Sequence, residues 1–341
     1  MGLSFIYRRH LFVGDKITKQ QLQNSPKAKS AKITAYKMLS IAIPICLGAI
    51  AVNITTFIDT VSVMSRLEKA MAENSQLILS MFDGLIPKDL PVSEVAAYLY
   101  GSYSMFSVSI FNLVPALTAT IGISALPMVS AAFAKRNRSE IKTGVDSVLR
   151  VTAMIAIPAG IGIIFMAEPI TQLLYYERPM EAQIAAMLLR TLGVSAILVA
   201  LTATLNSMLQ AIGKVTVPVK LMIFGGIIKL AINYIFVAIP SLNIIAVTWG
   251  TLACYTFLVV MSMFILYKNI RSKFDFVSVI LKPSFCGILC GLSAWVSYDF
   301  INKFWQSKLV LFISIIIGGL IYAISMILVK GIQKRNWKSI Q

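Results

Sequence analysis

Long stretches with almost no charge recur along the chain between Met38 and Lys330, and each is followed by a short polar segment. A helix of about 20 apolar residues crosses the ~30 Å hydrocarbon core of a bilayer, whereas buried helices in soluble proteins are usually shorter. The sequence therefore predicts an all-α membrane protein with about eight transmembrane helices. The predicted spans are residues 38–64, 99–127, 147–167, 187–211, 217–239, 244–267, 281–300 and 309–329.

The segment from Arg66 to Tyr98 is the longest polar connection between predicted spans. Leu67, Met71, Asn74, Ile78, Met81 and Phe82 recur in it at helical spacing, which predicts an amphipathic helix at the membrane surface. Gly84 and Pro87 are expected to end that helix. Two interpretations stay open: a helix that covers the rim of the bundle, and a lid that handles substrate.

The composition agrees with a membrane protein and argues against a nucleic-acid partner. Hydrophobic residues make up 57% of the chain, charged residues 13%, and the mean hydropathy is +0.80. The formal net charge is +17, but the basic residues lie in short segments between apolar runs and are not interleaved with aromatic residues. The lipid bilayer is the partner that this pattern predicts.

The distribution of basic residues predicts that both termini face the cytoplasm. With that orientation the inside segments carry 23 Lys and Arg residues and the outside segments carry seven. Short cytoplasmic loops of membrane proteins are enriched in Lys and Arg, so this asymmetry sets the direction of insertion. We therefore expect a multi-pass protein of a bacterial cytoplasmic membrane.

The residue types that usually carry catalysis or metal binding are sparse. His10 is the single histidine, and the four cysteines all lie within apolar runs, where small packing residues are expected. The acidic residues of the predicted cytoplasmic segments are scattered singly: Asp15, Glu140, Asp146 and Asp275. The sequence predicts neither an enzyme nor a metal site nor a cofactor.

Lys229 is the most informative polar residue, because it lies near the middle of the fifth predicted span. A charge at that depth costs at least a few kcal/mol, so its side chain is expected to face the bundle interior or a wet cavity. It could recognise an anionic group or relay charge. Alternatively, it could be a structural residue, paired with an acid or capped by carbonyls.

Two further residues accompany Lys229 as candidates to line a substrate cavity. Asn233 lies one helical turn from Lys229 on the same face. Asp59, near the outer end of the first predicted span, is another ionisable residue inside a span and could pair with Lys229.

Several ordered motifs resemble a known family. They are Ser124-Ala125-Leu126-Pro127 with Met128 to Phe133, Pro158 to Gly162, Ala167-Glu168-Pro169-Ile170, Leu209-Gln210-Ala211-Ile212-Gly213-Lys214 with Pro218, and Lys229 with Asn233. Together they resemble the stage V sporulation protein B branch of polysaccharide biosynthesis proteins. That branch lies within the multidrug/oligosaccharidyl-lipid/polysaccharide (MOP) exporter superfamily, which also contains the lipid II flippases and the multidrug (MATE) exporters.

The resemblance implies a domain organisation. Family members have two six-helix lobes around a central cavity and two further C-terminal helices, and this chain matches the second lobe and the extra pair. It implies a cytoplasmic basic connector at 1–36, a six-helix C-lobe at 37–270, and an additional helix pair with a cytoplasmic tail at 271–341. A separate N-terminal half would then be a partner.

The resemblance also implies a function: alternating-access movement of an undecaprenyl-linked oligosaccharide or peptidoglycan precursor across the cytoplasmic membrane. Lys229 would contact the anionic headgroup. Two alternatives remain open. One is an ion-coupled multidrug exporter of the same superfamily, and the other is a non-transporting scaffold of envelope assembly or an inactive fragment.

Overall fold

The computed structural model describes residues 30–271, 275–305 and 307–329, with the backbone alone for residues 37, 41, 42 and 44–59. Every regular element in these ranges is a helix, which confirms the all-α prediction. The chain divides into two units, Met1–Ile43 and Pro44–Gln341. Of the first unit, the described part is the beginning of the first helix; all contacts discussed below lie within the second.

The helices follow one another with short connections. In chain order they are α1 (Ala31–Met81), a 3-10 turn (Val92–Glu94), α2 (Val95–Gly101), a π-helical turn (Ser102–Ser107), α3 (Val108–Phe111), α4 (Leu113–Ala134), α5 (Arg138–Phe165), α6 (Ala167–Leu174), α7 (Pro179–Ala211), α8 (Thr216–Phe236), α9 (Ile245–Ile270), a second π-helical turn (Val277–Leu281), α10 (Lys282–Phe304) and α11 (Leu309–Leu328).

Seven helices within the described residues are long and apolar enough to cross a membrane, and the protein is multi-pass. They are α4, α5, α7, α8, α9, the segment Val277–Phe304 that contains α10, and α11. The remaining predicted span, 38–64, lies within α1, and most of its side chains are outside the described residues. That span stays a prediction.

The second predicted span differs from the structure at its beginning. We predicted a start at residue 99, but the apolar helix of spanning length begins at Leu113, after a break at Asn112. Pro115 explains the break, because it has no N–H to donate to the carbonyl of Phe111 one turn earlier. A π-helical turn precedes the break, so the stretch from α2 to α4 is not one regular helix.

The predicted surface helix is divided by a kink: its first part, up to Glu73, continues α1, and a short helical segment follows the kink. α1 kinks at Asn74, whose backbone leaves the helical region (φ −156°, ψ 80°). The Asn74 side-chain oxygen accepts a hydrogen bond from the Leu77 N–H at 3.0 Å and so caps the last turn. The helix ends at Met81, and Gly84 follows with φ +74°, a conformation that favours glycine.

α7 is the central helix of the bundle and packs against α4, α5 and α9. In an apolar stretch of 18 consecutive residues, 61% of the stretch is buried in α7, against 22% in α4 and 17% in α8. A helix that is apolar all round and buried all round is the expected centre of a helical bundle. α4 and α8 therefore carry the exposed surfaces on which a partner or lipid can lie.

The last two helices join the bundle through α5. α10 packs against α5 and α11, and the Tyr322 hydroxyl of α11 donates a hydrogen bond to the Met154 carbonyl of α5 at 2.8 Å. A Cβ added to Gly318 of α11 would lie 3.0 Å from the Cys290 carbonyl oxygen of α10, so the two helices approach closely. Small residues at such contacts are typical of membrane helices.

The closest approach between α5 and α7 lies at Gly160 and Gly193. A Cβ on Gly160 would lie 2.7 Å from the Gly193 carbonyl oxygen, and a Cβ on Gly193 would lie 2.8 Å from the Gly160 carbonyl oxygen. Because backbone cannot move aside as a flexible side chain can, these two helices need glycine at both positions.

We predict that Gly160→Ala separates α5 from α7 and lowers the thermal unfolding temperature of the purified protein by several degrees, since overpacking typically costs about 1–3 kcal/mol. Gly162→Ala is the matched control, because nothing lies within 4 Å of a Cβ at that position. It should leave the unfolding temperature unchanged or raise it. Equal effects of the two substitutions would contradict the proposed contact.

Candidate functional site

Lys229 lies on α8, about 20 Å along the helix axis from Thr216 and about 10 Å from Phe236. Its side chain is partly buried and interacts with another group of the chain. On a helical wheel Lys229 lies between Gly225 and Asn233, which are both buried against α9. Lys229 therefore lies on the face of α8 that packs against α9, and its side chain is partly buried there.

Asn233 is fully buried in the contact between α8 and α9. A Cβ added to Gly250 of α9 would lie 2.3 Å from the Asn233 side-chain oxygen and 3.4 Å from the Lys229 carbonyl oxygen. The structure thus places Lys229 and Asn233 on the same side of α8, as expected from their spacing. Asn233 is packed against α9, and whether it contributes to a substrate cavity stays a prediction.

The backbone of Asp59 is part of α1, but its side chain lies outside the described residues. Its pairing with Lys229 therefore stays a prediction. Tyr100 donates a hydrogen bond from its hydroxyl to the Thr60 hydroxyl at 3.0 Å, one residue further along α1. Through this contact, the part of the α1 backbone that is adjacent to Asp59 in sequence lies beside the π-helical region that precedes α4.

Arg66 is a functional candidate that the sequence analysis left in a surface loop. Because α1 continues to Met81, Arg66 lies on a helix, and its guanidinium carbon is 3.3 Å from the centre of the Tyr234 ring on α8. A cation over an aromatic face is attracted by the ring quadrupole. Tyr234 is five residues beyond Lys229. The positive charges of Lys229 and Arg66 therefore lie on two different faces of α8 within two turns.

The C-terminal end of α1 is packed into the bundle. Leu67, Ile78 and Phe82 are at most 1% exposed and share one apolar cluster with residues of α2 and α7. The Tyr98 hydroxyl donates to the Leu85 carbonyl at 3.1 Å, and burial, with the nearby Glu181 carboxylate, raises the pKa of Tyr98 to about 12. The phenol stays a donor at neutral pH. These contacts favour a rim cover over a lid.

A polar cluster that the sequence did not indicate joins α5, α9 and the segment just before the second π-helical turn. The Tyr267 hydroxyl donates to the Asp146 carboxylate, and an Arg150 nitrogen lies 3.8 Å from an Asp275 oxygen. The expectation that these acids are isolated was wrong. Asp146 and Arg150 are four residues apart and share a helix face, which is the signal that could have indicated the cluster.

An open cleft lies elsewhere, between the second half of α4 and the first half of α5, and has a volume of about 710 Å³. None of Lys229, Asn233 and Arg66 lines it. The structure therefore separates the predicted site from this cleft.

Comparison with known proteins identifies the fold. The MatE family model matches residues 70–235. The lipid II flippase MurJ in an inward closed conformation superposes with a TM-score of 0.52 at 17% identity, covering 75% of this chain and 51% of that chain. The chain has the fold of a MATE/MOP-type transporter. It spans about half the length of the MurJ chain it matches.

Two further solved structures are similar at lower scores. A MOP superfamily transporter from Pyrococcus furiosus aligns with a TM-score of 0.38 at 15% identity, covering 82% of this chain and 66% of that chain. A MATE protein in complex with Br-NRF aligns with a TM-score of 0.41 at 19% identity, covering 89% and 68%. No curated protein sequence matches the chain.

We predict that Gly250→Ala destabilises the protein, because the new methyl group would collide with the Asn233 side chain. Unfolding temperature in detergent should fall by several degrees, in line with an overpacking cost of about 1–3 kcal/mol. The double variant Gly250→Ala/Asn233→Ala should recover most of the loss, since the shortened side chain removes the collision. Additive losses in the double variant would contradict the predicted contact.

Proposed function

We propose that the chain is the C-lobe half of a flippase that moves an undecaprenyl-linked oligosaccharide or peptidoglycan precursor across the cytoplasmic membrane by alternating access. Both termini would lie in the cytoplasm. In this proposal residues 37–270 form the lobe, residues 1–36 are the connector, and residues 271–341 add a helix pair and tail. A separate N-terminal half would complete the transport cavity.

The fold is the first support for this proposal. MurJ, whose matched half has the same fold, is a lipid II flippase by its name, and this chain corresponds to about half of it. A single lobe cannot enclose a cavity that opens alternately to two sides, so a second lobe is required for transport. The exposed faces of α4 and α8 offer the surface that such a lobe would cover.

Lys229 is the observation that carries the proposal. Its side chain is half-buried within a helix of spanning length, so part of it reaches the surface of the isolated chain. That part cannot face hydrocarbon without a cost of at least a few kcal/mol. An aqueous cavity shared with a second lobe removes this cost and lets the ammonium group bind a pyrophosphate headgroup.

A second candidate, an ion-coupled multidrug exporter, is favoured by the match of residues 70–235 to the MatE model. An exporter of organic cations would need carboxylates in its cavity. Lys229 opposes that requirement, and Asp59 is the one acid among the candidate cavity residues. The flippase is therefore the function that we propose.

We predict that Lys229→Met, introduced at the natural chromosomal locus, lowers transport at least about tenfold. One charge-assisted hydrogen bond to an anion contributes roughly 1.5–3 kcal/mol, and about 1.4 kcal/mol corresponds to a factor of ten. The measurement is the accumulation of undecaprenyl-linked precursor in the cytoplasmic leaflet. Membrane abundance of the variant is measured in parallel.

Lys220→Met is the control, because Lys220 lies on the same helix but is exposed near its beginning. It should transport normally. Normal precursor levels in the Lys229→Met strain would refute the role of this lysine, and loss of drug resistance with normal precursor levels would favour the exporter. A fall in abundance equal to the fall in transport would assign Lys229 a structural role.

A further inference from the structure

The cleft between α4 and α5 has features that the proposed function does not use. Its two walls come from α4 and α5, which are consecutive helices joined by residues 135–137. The lining residues on α4 are Thr120, Ile121, Ser124, Ala125, Met128 and Val129. Those on α5 are Glu140, Thr143, Gly144, Ser147, Val148 and Val151. A volume of about 710 Å³ is within the range of sites that hold small molecules.

The walls suit an apolar chain. Most of the surface that lines the cleft is apolar, and six of its twelve lining residues are Ile121, Ala125, Met128, Val129, Val148 and Val151. Two of the lining hydroxyl groups donate hydrogen bonds within their own helices. Ser124 donates to the Ile121 carbonyl at 3.0 Å, and Thr143 donates to the Ser139 carbonyl at 2.9 Å. Because both hydroxyl groups already donate a hydrogen bond, a ligand does not have to supply an acceptor for them. Burying hydrocarbon beside them therefore adds little desolvation free energy.

The cleft is about as deep as one leaflet. Its α4 wall extends from Val129 to Thr120, about 14 Å along the helix, and its α5 wall extends from Glu140 to Val151, about 16 Å. Half of a ~30 Å hydrocarbon core is about 15 Å. The length of the cleft therefore matches the length of chain that a lipid places in one leaflet.

The mouth of the cleft carries positive charge. Lys135, Arg136 and Arg138 are exposed in the loop and at the start of α5, where the helix dipole is also positive. Glu140 is the acid at the mouth, and its carboxylate accepts a hydrogen bond from the Asn137 amide at 3.2 Å. Three exposed cations against one engaged carboxylate leave a net positive mouth, which is complementary to an anionic headgroup.

We propose that this cleft binds one anionic phospholipid of the cytoplasmic leaflet, with the headgroup phosphate at Lys135, Arg136 and Arg138 and an acyl chain between α4 and α5. The predicted orientation places the basic loop on the cytoplasmic side. The proposal does not depend on the transported substrate, because the cleft is separate from Lys229. The lipid would fill the gap between the two helices and hold the surface of α4 at a fixed distance from α5.

Native mass spectrometry of the full chain in detergent tests the proposal, with phosphatidylglycerol as the probe and phosphatidylcholine as its zwitterionic counterpart. We expect one phosphatidylglycerol per chain and binding of phosphatidylcholine at least about tenfold weaker. Ser124→Trp fills the cleft from the α4 side and should weaken phosphatidylglycerol binding at least about tenfold. Ile123→Trp is its control, because Ile123 is exposed on the same helix but does not line the cleft.

The charge requirement is tested separately, so that the proposal stays testable if Ser124→Trp fails to fold. The double variant Lys135→Gln/Arg138→Gln should weaken phosphatidylglycerol binding at least about tenfold and leave phosphatidylcholine binding unchanged. Lys214→Gln/Lys220→Gln is the control, because both lysines are exposed in the connection before α8 and at its start. It should bind phosphatidylglycerol as the unmodified chain does.

Three outcomes would overturn the proposal. Equal binding of the two lipids would exclude recognition of charge, and unchanged phosphatidylglycerol binding in both the cleft-filling and the charge variants would place the lipid elsewhere. A lipid-free dimer that Ser124→Trp disrupts would show that a second copy of the chain occupies the cleft.

Discussion

The high cost of leaving charge or unsatisfied backbone groups in hydrocarbon is the constraint on which this structure depends. It explains why every regular element among the described residues is helical, and why most charged side chains lie at helix ends. Within that constraint the helices associate through small residues and close backbone contacts, as at Gly160 and Gly193. Lys229 is the informative exception, because it lies within a spanning helix and is not fully buried.

The same constraint connects the fold to the proposed function. α7 is enclosed by its neighbours, whereas α4 and α8 keep large exposed surfaces, and α8 carries the partly buried Lys229 on the face that contacts α9. A partly exposed charge within a spanning helix needs a polar neighbour in the membrane. In the proposed function the second lobe of a transporter would supply that neighbour, and Lys229 would lie in a cavity between the lobes.

The sequence predicted the elements that depend on local patterns, and it missed those that depend on packing between distant segments. Apolar length identified seven spanning helices, and helical spacing predicted a helix with Leu67, Ile78 and Phe82 on one apolar face, which the structure shows to be buried. It could not show that α1 continues past residue 64, because polar residues such as Arg66 are as compatible with a loop as with a helix end. The partners of Arg66 and Asp146 come from α8 and α9, which no local pattern identifies.

Water accessibility at position 229 is the most direct test of the central claim, that the Lys229 ammonium lies in a polar chamber within the bilayer. The measurement is modification of Lys229→Cys in native membranes by a membrane-impermeant methanethiosulfonate, in a chain whose own cysteines are replaced. Ile227→Cys is the reference, because it lies at a similar depth, is 57% exposed and is on the opposite side of α8. The account predicts rapid modification at 229 and little at 227. No modification at 229, or faster modification at 227, would contradict it.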